Sequence, residues 1–226
     1  MYLIYALLCA FCTAYAAGPM THLYLAEKYC DKHNIQDEKD RRDFFVGALF
    51  PDIRYIADIE RESTHPITNE IQEVAATPTL FEAGMRFHVW VDIKREQFVE
   101  ESGIYNIVIP FAEDHQTTLL KFIEEEILAD QYNGLRWFGC FDGILAEEES
   151  FAIAQERIEK WHSLVQYSMQ YRPSWLLWGN SHLKKALFGL SNNTIYEWSY
   201  LLPVFARQPF FQRHMQDLLA HLEVQL

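Results

Sequence analysis

The stretch Thr79-Leu80-Phe81-Glu82-Ala83-Gly84-Met85-Arg86-Phe87-His88-Val89-Trp90-Val91-Asp92, continuing to Glu101, decides the fold. Its apolar positions recur at helical rather than alternating spacing, which predicts one helix from about Thr79 to Glu101. On that helix Phe81, Met85, His88 and Asp92 fall within one sector, and His88 and Asp92, four apart, point the same way from adjacent turns. Phe87, Val89, Trp90 and Val91 crowd the two polar residues, so the helix should be largely buried. A buried aspartate needs a partner, and either a metal ion or the histidine would serve.

The same periodicity continues on both sides. Thr21 to Lys32 reads as a first helix, with Leu23, Leu25, Ala26 and Tyr29 inward and Thr21 as its cap. Asp37 to Leu49 reads as a second, stopped by Pro51. Residues 51–79 then form a long loop or a set of short turns. Such a length inside a domain is usually functional or disordered, and this one carries Asp52 and His65. Residues 113–130 predict a fourth helix on the core face Leu119, Leu120, Ile123 and Ile127. Glu124-Glu125-Glu126 reads there as a solvated charge run, with room for one carboxylate to turn inward. Residues 147–171 predict a long fifth helix ended before Pro173. Segments 175–190, 192–201 and 208–224 are shorter, punctuated by Gly179, Gly189, Pro203 and Pro209. No alternating strand run, repeat or linker interrupts the pattern. The expected fold class is all-α, with one domain over residues 17–226.

With 226 residues, 50% of them hydrophobic, the chain can bury a sizeable core. Its net charge of −13 argues against stable nucleic-acid binding, which needs basic surface to displace counterions from phosphates. A hydrolase that grips one phosphate through metal ions remains open. Residues 1–16 are uncharged and apolar and end in the small-x-small pattern Ala14-Tyr15-Ala16. They read as a signal peptide whose removal leaves Ala17 or Gly18 first, for a secreted or periplasmic protein. An uncleaved anchor or a buried first helix is the competing reading, because the apolar run to Gly18 nears spanning length. No later stretch is long and apolar enough to span a bilayer. After cleavage Cys30 and Cys140 remain, as one disulfide or as two core thiols.

Five residues of metal-ligand type fall in the first 92 positions: His22, Asp52, His65, His88 and Asp92. Each has an ordinary explanation by itself. His88 and Asp92 could share a helix-surface hydrogen bond, and Asp52 could cap a short helix starting at Ile53. His65 could be a surface-loop histidine, and His22 a core or capping one. Together they point to a His/Asp metal cluster and metal-assisted hydrolysis.

In order, Pro19-Met20-Thr21-His22, Gly47-Ala48-Leu49-Phe50-Pro51-Asp52-Ile53, Ser63-Thr64-His65 and Gly84-x3-His88-x3-Asp92 resemble the zinc-dependent phospholipase C family. That family belongs with the S1/P1-type nucleases in an all-α superfamily of zinc phosphodiesterases. The resemblance covers roughly the first 100 residues. It implies one zinc ion held by Asp52, His65, His88 and Asp92, with Asp92 bridging to a second ion that also uses His22 and the new N-terminus. The family's third ion takes a His-x3-Glu pair, and no histidine here has glutamate four residues on; His115, His162 and Glu125 are the nearest substitutes. A two-ion site is therefore implied, with Asp52 orienting or deprotonating the attacking water. His/Asp ligation alone would also suit iron or manganese. The expected activity is hydrolysis of phospholipid head groups or other small phosphodiesters. The alternative is a catalytically reduced relative that serves as a metal-stabilised lipid- or protein-binding domain.

Overall fold

The helix read from Thr79 begins one residue later in the computed structural model, which describes residues 17–112, 114–182 and 190–226. Thr79 is its cap, accepting from the Glu82 N–H, and Gly103 ends it in the left-handed conformation at φ 67°. Eight longer helices follow in chain order: α1 (Pro19–Lys32), α2 (Glu38–Leu49), α3 (Leu80–Ser102), α4 (Gln116–Gln131), α5 (Gln155–Gln170), α6 (Pro173–Ser181), α7 (Asn192–Ala206) and α8 (Pro209–Gln225). Short helical turns fill the connections, and there is no strand among the described residues. The all-α reading holds. The expected signal peptide, residues 1–16, lies outside the described residues, as do 183–189 at the end of the segment expected at 175–190.

The α2–α3 crossing organises the fold around the site. A Cβ added to Gly47 would lie 2.1 Å from the Phe81 carbonyl oxygen, and one on Gly84 2.3 Å from that of Phe44. Only glycine allows backbones to approach this closely. Both motif glycines thus serve to bring the helices together, and Phe44, Phe87 and Trp90 seal the crossing in the core. Asp37 caps α2 through the N–H groups of Lys39 and Asp40. The 51–79 segment is a chain of short turns, beginning with the 3-10 turn Phe50–Ile53 directly after α2.

Three expectations need correction. Glu124, Glu125 and Glu126 are all buried, each 1% exposed, and each has different partners. Glu124 binds the buried Arg95 and His214; Glu126 accepts from the Ser174 N–H and hydroxyl at the start of α6. Glu125 accepts from the Met20 and Thr21 N–H groups and the Thr21 hydroxyl. Thr21 is therefore not the cap of α1: Gly18 holds that position, and a carboxylate from α4 satisfies the orphan donors. Secondly, 147–171 is not one helix. It splits into Ala146–Glu149 and α5, with Ala152 at φ 54° between them, because the Glu148 side chain turns back to the Leu145 N–H and to His162. Thirdly, α7 runs past Pro203. Its inward stripe Ile195, Trp198, Leu202 and Ala206 continues, and packing outweighs the one lost backbone bond. Cys30 and Cys140 are unpaired thiols.

Candidate metal centre

Ligand-type residues reach one place from four elements: His22 on α1, Asp52 on the turn after α2, His65 in the following loop, and His88 and Asp92 on α3. Two sets have ligand atoms all within 4.8 Å of one another: His22, His88 and Asp92, and Asp52, His65 and His88. His88 belongs to both. Its Nε2 lies 3.4 Å from Asp92 Oδ2 and 3.8 Å from Asp52 Oδ1, while His22 Nε2 lies 3.1 Å from Asp92 Oδ1. The His22 and His88 rings stack at 4.0 Å, and His65 meets His88 edge-on at 5.3 Å.

The surroundings set what these side chains can offer. His88 Nδ1 contacts the Ala48 carbonyl at 2.9 Å, so Nδ1 carries the proton and Nε2 presents its lone pair when the ring is neutral. The Thr64 hydroxyl donates to the Pro51 carbonyl and accepts from His65 Nδ1 at 3.1 Å, which turns His65 Nε2 inward in the same way. His65 is thus not a surface-loop histidine: it is 8% exposed, and Thr64 is fully buried. Asp52 does not cap the helix Arg54–Ala57, which has no side-chain cap.

Six atoms of these five residues are buried without hydrogen-bond partners: His22 Nδ1 and Nε2, Asp52 Oδ1, His65 Nε2, His88 Nε2 and Asp92 Oδ2. Buried polar atoms are ordinarily satisfied, so a convergent set of lone pairs calls for a cation. Ligands about 2.0–2.1 Å from a tetrahedral ion sit roughly 3.3 Å apart, close to the separations observed here. The cluster can hold a metal ion.

Protonation agrees. Burial pushes the His22 imidazole down to about 4 and that of His65 to about 2, so both are neutral ligands at pH 7. Burial would lower His88 too, but Asp92 and Asp52 outweigh it and raise its value. Burial also raises Asp52, whereas His88 and His22 overcome the same penalty at Asp92 and hold it well below the carboxylate range.

One neighbour, Lys121, escapes the sequence reading, and Glu125 takes a different role from the substitute ligand expected there. Lys121, 1% exposed on α4, acts electrostatically on both His22 and Asp52 and so brings a buried positive charge to the cluster. Glu125, one turn further along α4, positions the start of α1 and with it His22. The signal lay in Leu119, Leu120, Phe122, Ile123, Ile127 and Leu128. These spread around most of the helix circumference, which leaves only a limited arc for water. His162 is not brought to the site; it binds Glu148 at 2.8 Å. Glu125 is occupied by α1, and among the described residues no third ligand set forms. No family model, curated protein or solved structure matches the chain.

Proposed function

We propose that the chain is a metal-dependent hydrolase of phosphodiester bonds, with phospholipid head groups as its substrates and zinc as its metal. The observation that carries this reading is the convergence of unpartnered ligand atoms, one from each of five residues ordered as in the zinc-dependent phospholipase C family. Because the single Nε2 of His88 can serve one ion, the ligands divide as Asp52, His65, His88 and one Asp92 oxygen against His22 and the other Asp92 oxygen. The Ala17 N–H donates to Asp92 Oδ1 at 2.9 Å, so cleavage before Ala17 would leave a free amine beside His22 and Asp92 to complete the second set. Bound divalent ions supply Lewis-acid activation of water and neutralise charge on the phosphate. Asp52 would serve both as a ligand and as the acceptor of the attacking water's proton, its affinity for protons raised by burial. Ala48 and Thr64 hold the two imidazoles in the ligating tautomer, and Lys121 adds positive potential toward the phosphate.

A second reading is supported by the closed character of the cluster. All five ligands are at most 8% exposed, and the third set is missing, as in a metal-stabilised binding domain without turnover. Metal analysis of the exported protein, purified without chelator, tests the hydrolase reading together with assays on phosphatidylcholine and a soluble phosphodiester. Two zinc ions per chain, with turnover abolished by Asp52→Asn, is the expected result. Metal without turnover selects the binding domain, and a metal-free chain after zinc supply overturns both.

A further inference from the structure

The α6 helix, Pro-Ser-Trp-Leu-Leu-Trp-Gly-Asn-Ser, carries no ionisable residue on any face. Leu176 and Leu177 are buried in the core, yet the opposite face is not polar: Trp175 is 61% and Trp178 51% exposed. Large apolar rings on the solvent side of an uncharged helix call for an apolar partner, and water covers this one. With Tyr167 and Tyr171 of the preceding segment, stacked at 5.6 Å, the tryptophans line an open groove of about 630 Å³. The space beside Gly179 is open: a Cβ there would meet nothing within 4 Å.

We propose that this face docks the protein on the head-group layer of a zwitterionic phospholipid bilayer. Tryptophan and tyrosine combine an apolar ring with a polar tip, the chemistry favoured where hydrocarbon meets head groups. Charge selects among occupants. A second copy would bring another −13 to an α6 surface with no ionic partner to offer, and the same charge opposes an anionic membrane. A zwitterionic lipid surface imposes neither penalty. The position fits as well. Tyr171 and Trp175 also wall a second groove of about 410 Å³ whose lining includes Met20, two residues before His22. The docking face thereby adjoins the end of α1 that carries a metal ligand. No described helix is long and apolar enough to cross a membrane, and the proposed contact is made by this face from the side of the head groups.

The test is co-sedimentation of the purified chain with phosphatidylcholine vesicles, with tryptophan quenching by brominated phosphatidylcholine. It reads binding rather than turnover, so it stands or falls separately from the hydrolase reading. Wild type should sediment with the vesicles and be quenched. Trp175→Ala/Trp178→Ala should bind about tenfold or more weakly. Its circular dichroism and melting temperature should be retained, because both side chains are exposed. Vesicles with one third phosphatidylserine should bind less. Absence of wild-type binding, or equal binding by the double variant, overturns the proposal. So does a concentration-dependent dimer that the double variant abolishes, which would assign the face to a second copy.

Discussion

His88 Nδ1 meets the Ala48 carbonyl oxygen at 2.9 Å across the α2–α3 crossing, so the orientation of a central ligand depends on how closely two helices approach. That approach rests on Gly84, whose Cβ would collide with the Phe44 carbonyl. Gly84→Ala should force the helices apart, costing about 1–3 kcal/mol by overpacking. It should also release the His88 ring. Thermal unfolding and zinc titration should therefore worsen together, whereas an alanine that cost stability alone would separate the crossing from the site.

Thr64→Val keeps the shape of the buried side chain and removes the hydroxyl between the Pro51 carbonyl and His65 Nδ1. Lost support of this kind typically weakens a metal site about 10–100-fold. A competition titration against a zinc chelator would detect it. Unchanged affinity would mean that His65 is not a ligand.

Burial holds the His65 imidazole at about 2 against an ordinary 6.5. Below pH 6.5 the unfolded chain takes up a proton there that the native state refuses until far lower pH. Acidification therefore favours unfolding, by on the order of 2 kcal/mol between pH 7 and pH 5. Metal-free His65→Gln lacks this proton uptake. Its urea stability should fall less than that of metal-free wild type over the same interval, and an equal fall would contradict the buried neutral state.

Helix-bearing segments and the five residues of the buried His/Asp cluster were legible because periodicity and residue type are local properties. Asp37 and Thr79 capped as their residue types suggest. The partners of the glutamate run were not legible, because they lie 29 to 105 residues away along the chain. Runs of carboxylates are ordinarily solvated, and only the spread of apolar residues around most of α4 marked these as inward. Likewise the split after Glu149 depends on His162, which no local spacing reveals. Glu125→Ala should thus behave as a site mutation from a distance. It strands the N–H groups of Met20 and Thr21, at about 1–3 kcal/mol each, and loosens His22. A lower melting temperature accompanied by weaker binding of one of two zinc ions would establish that link; equal loss of both would not.

Lys121 offers the sharpest test of what the cluster is for. Its charge lowers the proton affinity of both His22 and Asp52, and repels an incoming cation for the same reason. A site made only to hold metal gains nothing from a buried ammonium beside its ligands. One that must also receive a phosphate does, since each added positive charge attracts the anion. Lys121→Met should accordingly tighten zinc binding, by about tenfold or more. Inhibition by inorganic phosphate should weaken by a similar factor. Some stability is lost as well, because removal of a buried charge disturbs its electrostatic surroundings. Opposite movement of the two affinities in one variant is the signature of a phosphate site. If zinc and phosphate weakened together, Lys121 would be a structural residue, and the case for phosphodiester chemistry would rest on the ligands alone.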